Sequence, residues 1–216
     1  MKISVFGTGV VGQTISSKLS ELGHEVMMGS RSADNAKAIE WVKSTNGKAK
    51  SGSFAQAAEF GELIFNCTSG GASLDVMKLA GPDKLRGKII IDVANPLDFS
   101  RGMPPTLIPS LCNTTSLAEE IQKYLPDSMV VKSLNTMNCY LMVSPDKIAN
   151  EHDVFLCGND ESAKEKTVDI LRSFGWKAPI DLGDLTASRG LEMILPLWLR
   201  IYGTYQSPYF NFKIIR

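Results

Sequence analysis

The residues with the clearest chemistry stand near the start of the chain. Gly7, Gly9 and Gly12 form G-x-G-x-x-G within FGTGVVGQT. Alone, that spacing is common. Here it directly follows an alternating apolar run, residues 2–6. It opens a segment in which Val11, Ile15, Leu19 and Leu22 recur at helical spacing. In that context each glycine has a task. Gly7 makes the tight turn, Gly9 lets the backbone approach a pyrophosphate, and Gly12 lets the helix pack on the strand. The N–H groups of the segment carrying Thr8, Val10 and Val11 face the same place, and the helix dipole favours an anion there. The spacing predicts a dinucleotide site on residues 7–12.

The next strand selects between dinucleotides. An NAD site wants an acid about 20 residues past the motif, to accept the ribose 2′-OH. The chain reads His24-Glu25-Val26-Met27-Met28-Gly29-Ser30-Arg31-Ser32, with no acid at the strand end. Glu25 lies four residues too early. Gly29 is expected to open space, Ser30 and Ser32 to offer hydroxyls, and Arg31 to offer a planar, permanently charged fork suited to a phosphate. The expected cofactor is NADP(H).

These loops need a frame that presents strand ends side by side. Apolar runs of strand length (residues 2–6, 25–28, 63–65, 88–93, 129–132, 153–157 and 176–180) alternate with segments of helical period. A short third strand is expected at residues 48–51, after a helix over 33–45 closed by Gly47. Gly81-Pro82 should stop a helix, Ser116 with Glu119 should form a capping box, and Asp160 should cap a helix that Gly175 ends. Unbroken apolar strands in alternation with helices predict an α/β fold: a doubly wound, mostly parallel Rossmann-type sheet with a small helical C-terminal extension. The expected division is a dinucleotide-binding domain over residues 1–182 and an extension over 183–216 in the same compact unit. Within the extension, the helix around Leu191, Leu195, Leu197, Trp198 and Tyr202 should be kinked at Pro196. Its apolar excess reads as core or as a dimer contact.

Further candidates sit after strands. Thr68-Ser69-Gly70-Gly71 reads equally as a border of the cofactor and as a plain strand-to-helix turn. Asn95-Pro96 and Asn135-Thr136 offer side-chain amides for a nicotinamide carboxamide. Residues 95–115, with four prolines, form a long irregular stretch of the kind that often roofs a site. The four cysteines make no C-x-x-C pair, and neither His24 nor His152 joins a constellation, so no metal site and no catalytic thiol or imidazole is expected. With 23 basic and 23 acidic residues, no bulk attraction to nucleic acid or an anionic membrane is expected. The opening MKISVFG lacks the pattern of a signal peptide. The most apolar tract, residues 191–202, is too short to span a bilayer. A reduced, cytoplasmic protein is the expectation.

Read together, KISVFGTGVVG, GHEVMMGSRS, DVANPLD, VKSLNTMN, LCGNDESAK and LGDLTASRGLEMILPLWL resemble the deazaflavin (coenzyme F420)-dependent NADP oxidoreductase family. They are also similar to the NADPH-binding domain of the six-transmembrane metalloreductases. The resemblance implies a dimer, NADP on residues 7–12, its 2′-phosphate on Ser30 and Arg31, and the nicotinamide near Thr68, Asn95 and Asn135. Relatives often carry a Lys four residues past the arginine. This chain has Asn35 there, which implies a less absolute preference for NADP.

Two functional readings follow. One is an enzyme moving hydride between NADP(H) and a small-molecule acceptor such as a flavin or deazaflavin. That reaction needs ring contact and no protein acid or base. The other is a binding module that senses NADPH without turnover. An imine reductase of pyrroline-carboxylate type is the alternative enzyme.

Overall fold

The computed structural model describes residues 1–45 and 49–216. Its centre is an eight-stranded sheet in the order β3-β2-β1-β4-β5-β8-β9-β10. The strands are β1 (Lys2–Phe6), β2 (Glu25–Ser30), β3 (Ala49–Ser53), β4 (Leu63–Asn66), β5 (Ile89–Asp92), β8 (Met129–Ser133), β9 (Phe155–Gly158) and β10 (Ile180–Asp181). All neighbours run parallel except β8 and β9. A two-stranded hairpin, β6 (Leu97–Asp98) with β7 (Thr106–Leu107), stands apart. The expected class, a doubly wound and mostly parallel sheet, is what the chain forms.

The helices are α1 (Val10–Glu21), α2 (Ala36–Ser44), α3 (Phe54–Phe60), α4 (Gly70–Ala80), α5 (Pro82–Leu85), α6 (Leu117–Tyr124), α7 (Cys139–Val143), α8 (Glu161–Ser173), α9 (Ser188–Met193) and α10 (Leu195–Tyr205). They cover both faces of the sheet because the central strands carry apolar side chains toward both faces. In β4, Leu63 and Phe65 enter one core with Ile15, Leu19 and Phe174. Ile64 enters the other, with Val76, Met77 and Ile121. The same two-residue alternation divides Ile90 from Ile91 and Val130 from Val131.

Several boundaries differ from the sequence expectation. The second helix begins at Ala36, because Asn35 caps it through Oδ1 to the Ala38 N–H at 3.1 Å. Gly47 and Lys48, expected as helix stop and strand start, lie outside the described residues. Gly81, at φ 90°, does end α4, yet Pro82 opens the short α5 at once. The last strand is only Ile180–Asp181. Trp176 lies outside it, buried, with its Nε1 donating to the Met142 carbonyl at 2.9 Å. Pro196 does not kink one continuous helix. Helix α9 ends at Met193 and α10 begins at Leu195, with the proline in its first turn.

The strand order reverses between β1 and β4. In open α/β sheets that switch point leaves a crevice outside the carboxyl ends of the strands. The loops after β1, β4, β5 and β8 all open there.

Candidate dinucleotide-binding site

The loop after β1 satisfies the geometry that a pyrophosphate needs. Gly7 has φ 118°, and a Cβ on it would lie 2.6 Å from the Cys67 carbonyl oxygen. A Cβ on Gly12 would lie 2.1 Å from the Gly7 carbonyl oxygen, so helix and strand approach as closely as glycine allows. Gly9 is the opposite case: a Cβ there would meet nothing within 4 Å. No side chain caps α1, which leaves the N–H groups of Val10, Val11 and Gly12 without intrahelical partners. Gln13 pins the loop by donating to the Thr8 carbonyl at 3.0 Å. An open cradle, free amides and a positive helix end fit a dinucleotide phosphate.

At the end of β2 the expected parts are present but divided differently. Gly29 does not open space for the ribose. It pairs with Phe6 in the sheet, and a Cβ on it would meet the Ala57 Cβ at 2.9 Å and the Phe6 ring at 3.1 Å. Its bareness serves the packing of α3. Gly29→Ala should therefore cost ~1–3 kcal/mol through overpacking, read as a lower urea midpoint, with NADPH affinity of the folded fraction unchanged. Ser30 is buried and donates its hydroxyl hydrogen to the Ser32 carbonyl at 2.5 Å. Ser32 donates its own to the Asp34 carboxylate. Both serines keep acceptor character, and their hydroxyl hydrogens are engaged. Arg31 is exposed and makes no ion pair among the described residues. Asn35 uses its Oδ1 to cap α2.

The ends of β4, β5 and β8 meet. A Cβ on Gly70 would lie 2.1 Å from the Asn95 carbonyl oxygen, so the start of α4, at Ser69-Gly70, presses on Asn95-Pro96. Asn95 donates from Nδ2 to the Asn135 carbonyl at 3.0 Å, and Asn135 returns a bond to Asn95 Oδ1 at 2.8 Å. Asn135 also donates to the Leu191 carbonyl at 2.8 Å and is only 2% exposed. Both its amide hydrogens are thus used inside the protein. Asn135 ties the β5 and β8 loops to α9, while its buried Oδ1 has no hydrogen-bond partner among the described residues. Thr136 beside it is equally buried, and Leu134 before it holds φ 63°. A left-handed leucine costs roughly 1–3 kcal/mol and persists where the surroundings over-determine it, often at functional sites.

Beneath these loops lies a polar network that sequence reasoning missed. Thr68 donates from its hydroxyl to Asn66 Oδ1 at 2.7 Å, and Asn66 donates from Nδ2 to Asp92 Oδ1 at 2.7 Å. Asp92 Oδ2 meets Lys132 Nζ at 2.7 Å, and Lys132 meets Glu192 Oε1 at 2.8 Å. The ammonium also donates to the Ala94 carbonyl. Burial alone would lower the Lys132 pKa, but Asp92 and Glu192 outweigh it and hold the ammonium above its ordinary value. A legible signal existed: a charge set inside an apolar strand buried on both faces must be paired. The capping pair at α6 also differs from expectation. Ser116 accepts from the Glu119 N–H at 3.1 Å, but the Glu119 carboxylate takes the Arg189 fork at 2.6 and 2.9 Å and meets Ser116 through its hydroxyl at 2.8 Å, not through the Ser116 backbone N–H.

Burial pushes the Cys67 and Cys157 thiols well up, so neither is a ready nucleophile. No helix among the described residues is long and apolar enough to cross a membrane.

The chain resembles known proteins over its length. A model of the family described as NADP oxidoreductase, coenzyme F420-dependent, matches residues 2–96. A crystal structure from Arthrobacter sp. FB24, provisionally assigned as an F420-dependent NADP reductase, superposes with a TM-score of 0.95 at 46% identity, covering 100% of both chains. This chain belongs to the F420-dependent NADP oxidoreductase family. It is an NADP-dependent oxidoreductase. The F420-dependent NADP reductase of Methanocaldococcus jannaschii is 29% identical over 96% of this chain and 95% of its own length. The rat metalloreductase STEAP3 is 27% identical over 91% of this chain, which spans only 38% of that longer protein.

Proposed function

We propose that this NADP oxidoreductase transfers hydride between NADPH and a deazaflavin of the coenzyme F420 type, or a closely similar flavin. The observation that carries the reading is the wall beyond Asn95. The β6–β7 hairpin leaves Phe99 57% and Met103 74% exposed beside the strand ends, an apolar face of the kind on which a tricyclic ring stacks. The near full-length match to an F420-dependent NADP reductase supports the same acceptor.

In this reading the amides of the loop from Gly7 through Thr8, Gly9, Val10 and Val11 to Gly12 hold the pyrophosphate. Arg31, flanked by Ser30 and Ser32, holds the 2′-phosphate. Thr68, Ser69, Asn95 and Pro96 border the nicotinamide, with Asn135 and Thr136 behind them. Bound NADPH supplies the hydride. The chain supplies binding, orientation and exclusion of water, and no side chain of the site is required to exchange a proton with the reacting carbon. We also propose residues 183–216 as an appendage to the dinucleotide-binding unit and as a homodimer contact, because α10 buries only Leu195 and leaves Leu197, Tyr202 and Tyr205 exposed.

The test follows NADPH absorbance with coenzyme F420, FMN, FAD, a quinone and a cyclic imine as acceptors. Turnover should be fastest with the deazaflavin and weak or absent with the imine. NADPH binding without turnover of any acceptor would favour a sensor. Turnover of the imine alone would favour an imine reductase.

A further inference from the structure

Lys132, Asp92 and Glu192 are 0%, 0% and 1% exposed. Three charges inside a small domain are a costly way to hold it together. Apolar side chains of similar volume commonly give equal or greater stability. What the trio supplies that apolar packing would not is directional geometry. The acceptors of Lys132 come from three segments: β5 through Asp92, the loop running into Asn95 through the Ala94 carbonyl, and α9 through Glu192. Two of them extend the ties further. Asp92 reaches Thr68 through Asn66. Glu192 accepts from the Leu117 N–H at 2.8 Å and the Ala118 N–H at 3.2 Å, fixing the start of α6. Next to it, the Leu191 carbonyl takes the Asn135 amide.

We propose that Lys132 is a positioning residue: by clamping the loop before Asn95 to α9, it sets where the nicotinamide-bordering strand ends stand relative to one another. This rests on the site reading above. Lys132 itself, fully buried, touches neither cofactor nor acceptor. Its action runs through Ala94, Asp92 and Glu192. The anchors for the cofactor's phosphates, the Gly7–Gly12 loop and Arg31, share no hydrogen bond with the trio, so binding strength and nicotinamide placement should come apart.

Removing Lys132 alone would leave two buried carboxylates unpaired, so the informative variant is the neutral triple Lys132→Met, Asp92→Asn, Glu192→Gln. Its NADPH Kd, by calorimetry, should stay within about 3-fold of the parent, because the phosphate anchors remain. The fluorescence anisotropy of the bound nicotinamide should fall. With the deazaflavin acceptor, kcat should fall by about 100-fold, the scale of a 1 Å misplacement. The deuterium isotope effect on kcat with 4-deuterated NADPH should rise as hydride transfer becomes limiting. A merely structural role predicts a different pattern: fewer competent molecules, with anisotropy and isotope effect of those remaining unchanged. Parental anisotropy and parental kcat in the folded triple variant would overturn the proposal. If the triple variant does not fold, Glu192→Gln decides by the same measurements, since it keeps an acceptor for Lys132 and loses one for Leu117. It should show a smaller loss in the same direction, and parental values there would equally overturn it. The anisotropy arm stands even if the parent turns over no acceptor offered, an outcome that would count against the function proposed and not against the clamp.

Discussion

Gly9→Val should abolish NADPH binding and leave the protein folded. Gly9 has φ −76° and ψ 179°, an extended conformation that any residue adopts, and an added Cβ would meet nothing within 4 Å. The residue is exposed. The free protein therefore has no reason to resist the substitution, and its stability should change by about 0.5 kcal/mol or less. The empty space around Gly9 is the space through which a pyrophosphate must approach the amides at the head of α1. Isopropyl branches placed there would hold the phosphates away from these donors. Bonds between an amide and an anion are worth about 1.5–3 kcal/mol each. Losing two of them weakens binding by roughly 100-fold or more. Calorimetry with NADPH and a thermal melt of the apo protein measure the two halves. Gly12→Val is the useful contrast, since its Cβ would press on the Gly7 carbonyl, and it should lower the melting temperature as well. Normal NADPH affinity in Gly9→Val would remove the loop from the site.

The difference between these glycines also marks how far the sequence could be read. The motif, the strand before it and the helix after it were legible because the 2-residue and 3.6-residue periods change over at Gly7. The end of β2 was legible in charge but not in packing. Nothing local says that Gly29 faces Phe6 and Ala57 and not the ribose, because that depends on which face of β2 meets α3. Likewise the hydroxyls of Ser30 and Ser32 read as free donors until the turn after β2 supplies them with acceptors. The β6–β7 hairpin was hidden in residues 95–115, since two-residue strands carry no period. The clamp was hardest to see. Asp92, Lys132 and Glu192 lie 40 and 60 residues apart in sequence, each within an element that looks ordinary alone. Only the strand order, which sets β5 beside β8 and brings α9 against their ends, makes them one object.

Arg31→Ala should weaken NADPH binding by about 10- to 100-fold and leave NADH nearly untouched. The cofactors differ only at the 2′-phosphate, so the variant isolates the group that reads it. Of the side chains around that position, the Ser30 hydroxyl hydrogen goes to the Ser32 carbonyl, that of Ser32 to Asp34, and Asn35 caps α2. Arg31 is the one cation among them, and it makes no ion pair among the described residues. Its charge-assisted bonds to a phosphate are worth about 1.5–3 kcal/mol, which at 1.4 kcal/mol per tenfold gives the stated range. The lower end applies if solvent at this exposed site screens the pair, and added salt should then shrink the NADPH to NADH affinity ratio of the parent protein more than that of the variant. Asp34, with its carboxylate on Ser32, sets a like charge near the phosphate, and Asn35 contributes no cation. Both should keep the parent's preference for NADPH moderate. Fluorescence titration of each cofactor against parent and variant, at low and high ionic strength, gives the four constants needed. An equal loss for NADH and NADPH would mean that Arg31 supports the loop and does not read the phosphate, and the basis of NADP selection would have to be sought elsewhere in the chain.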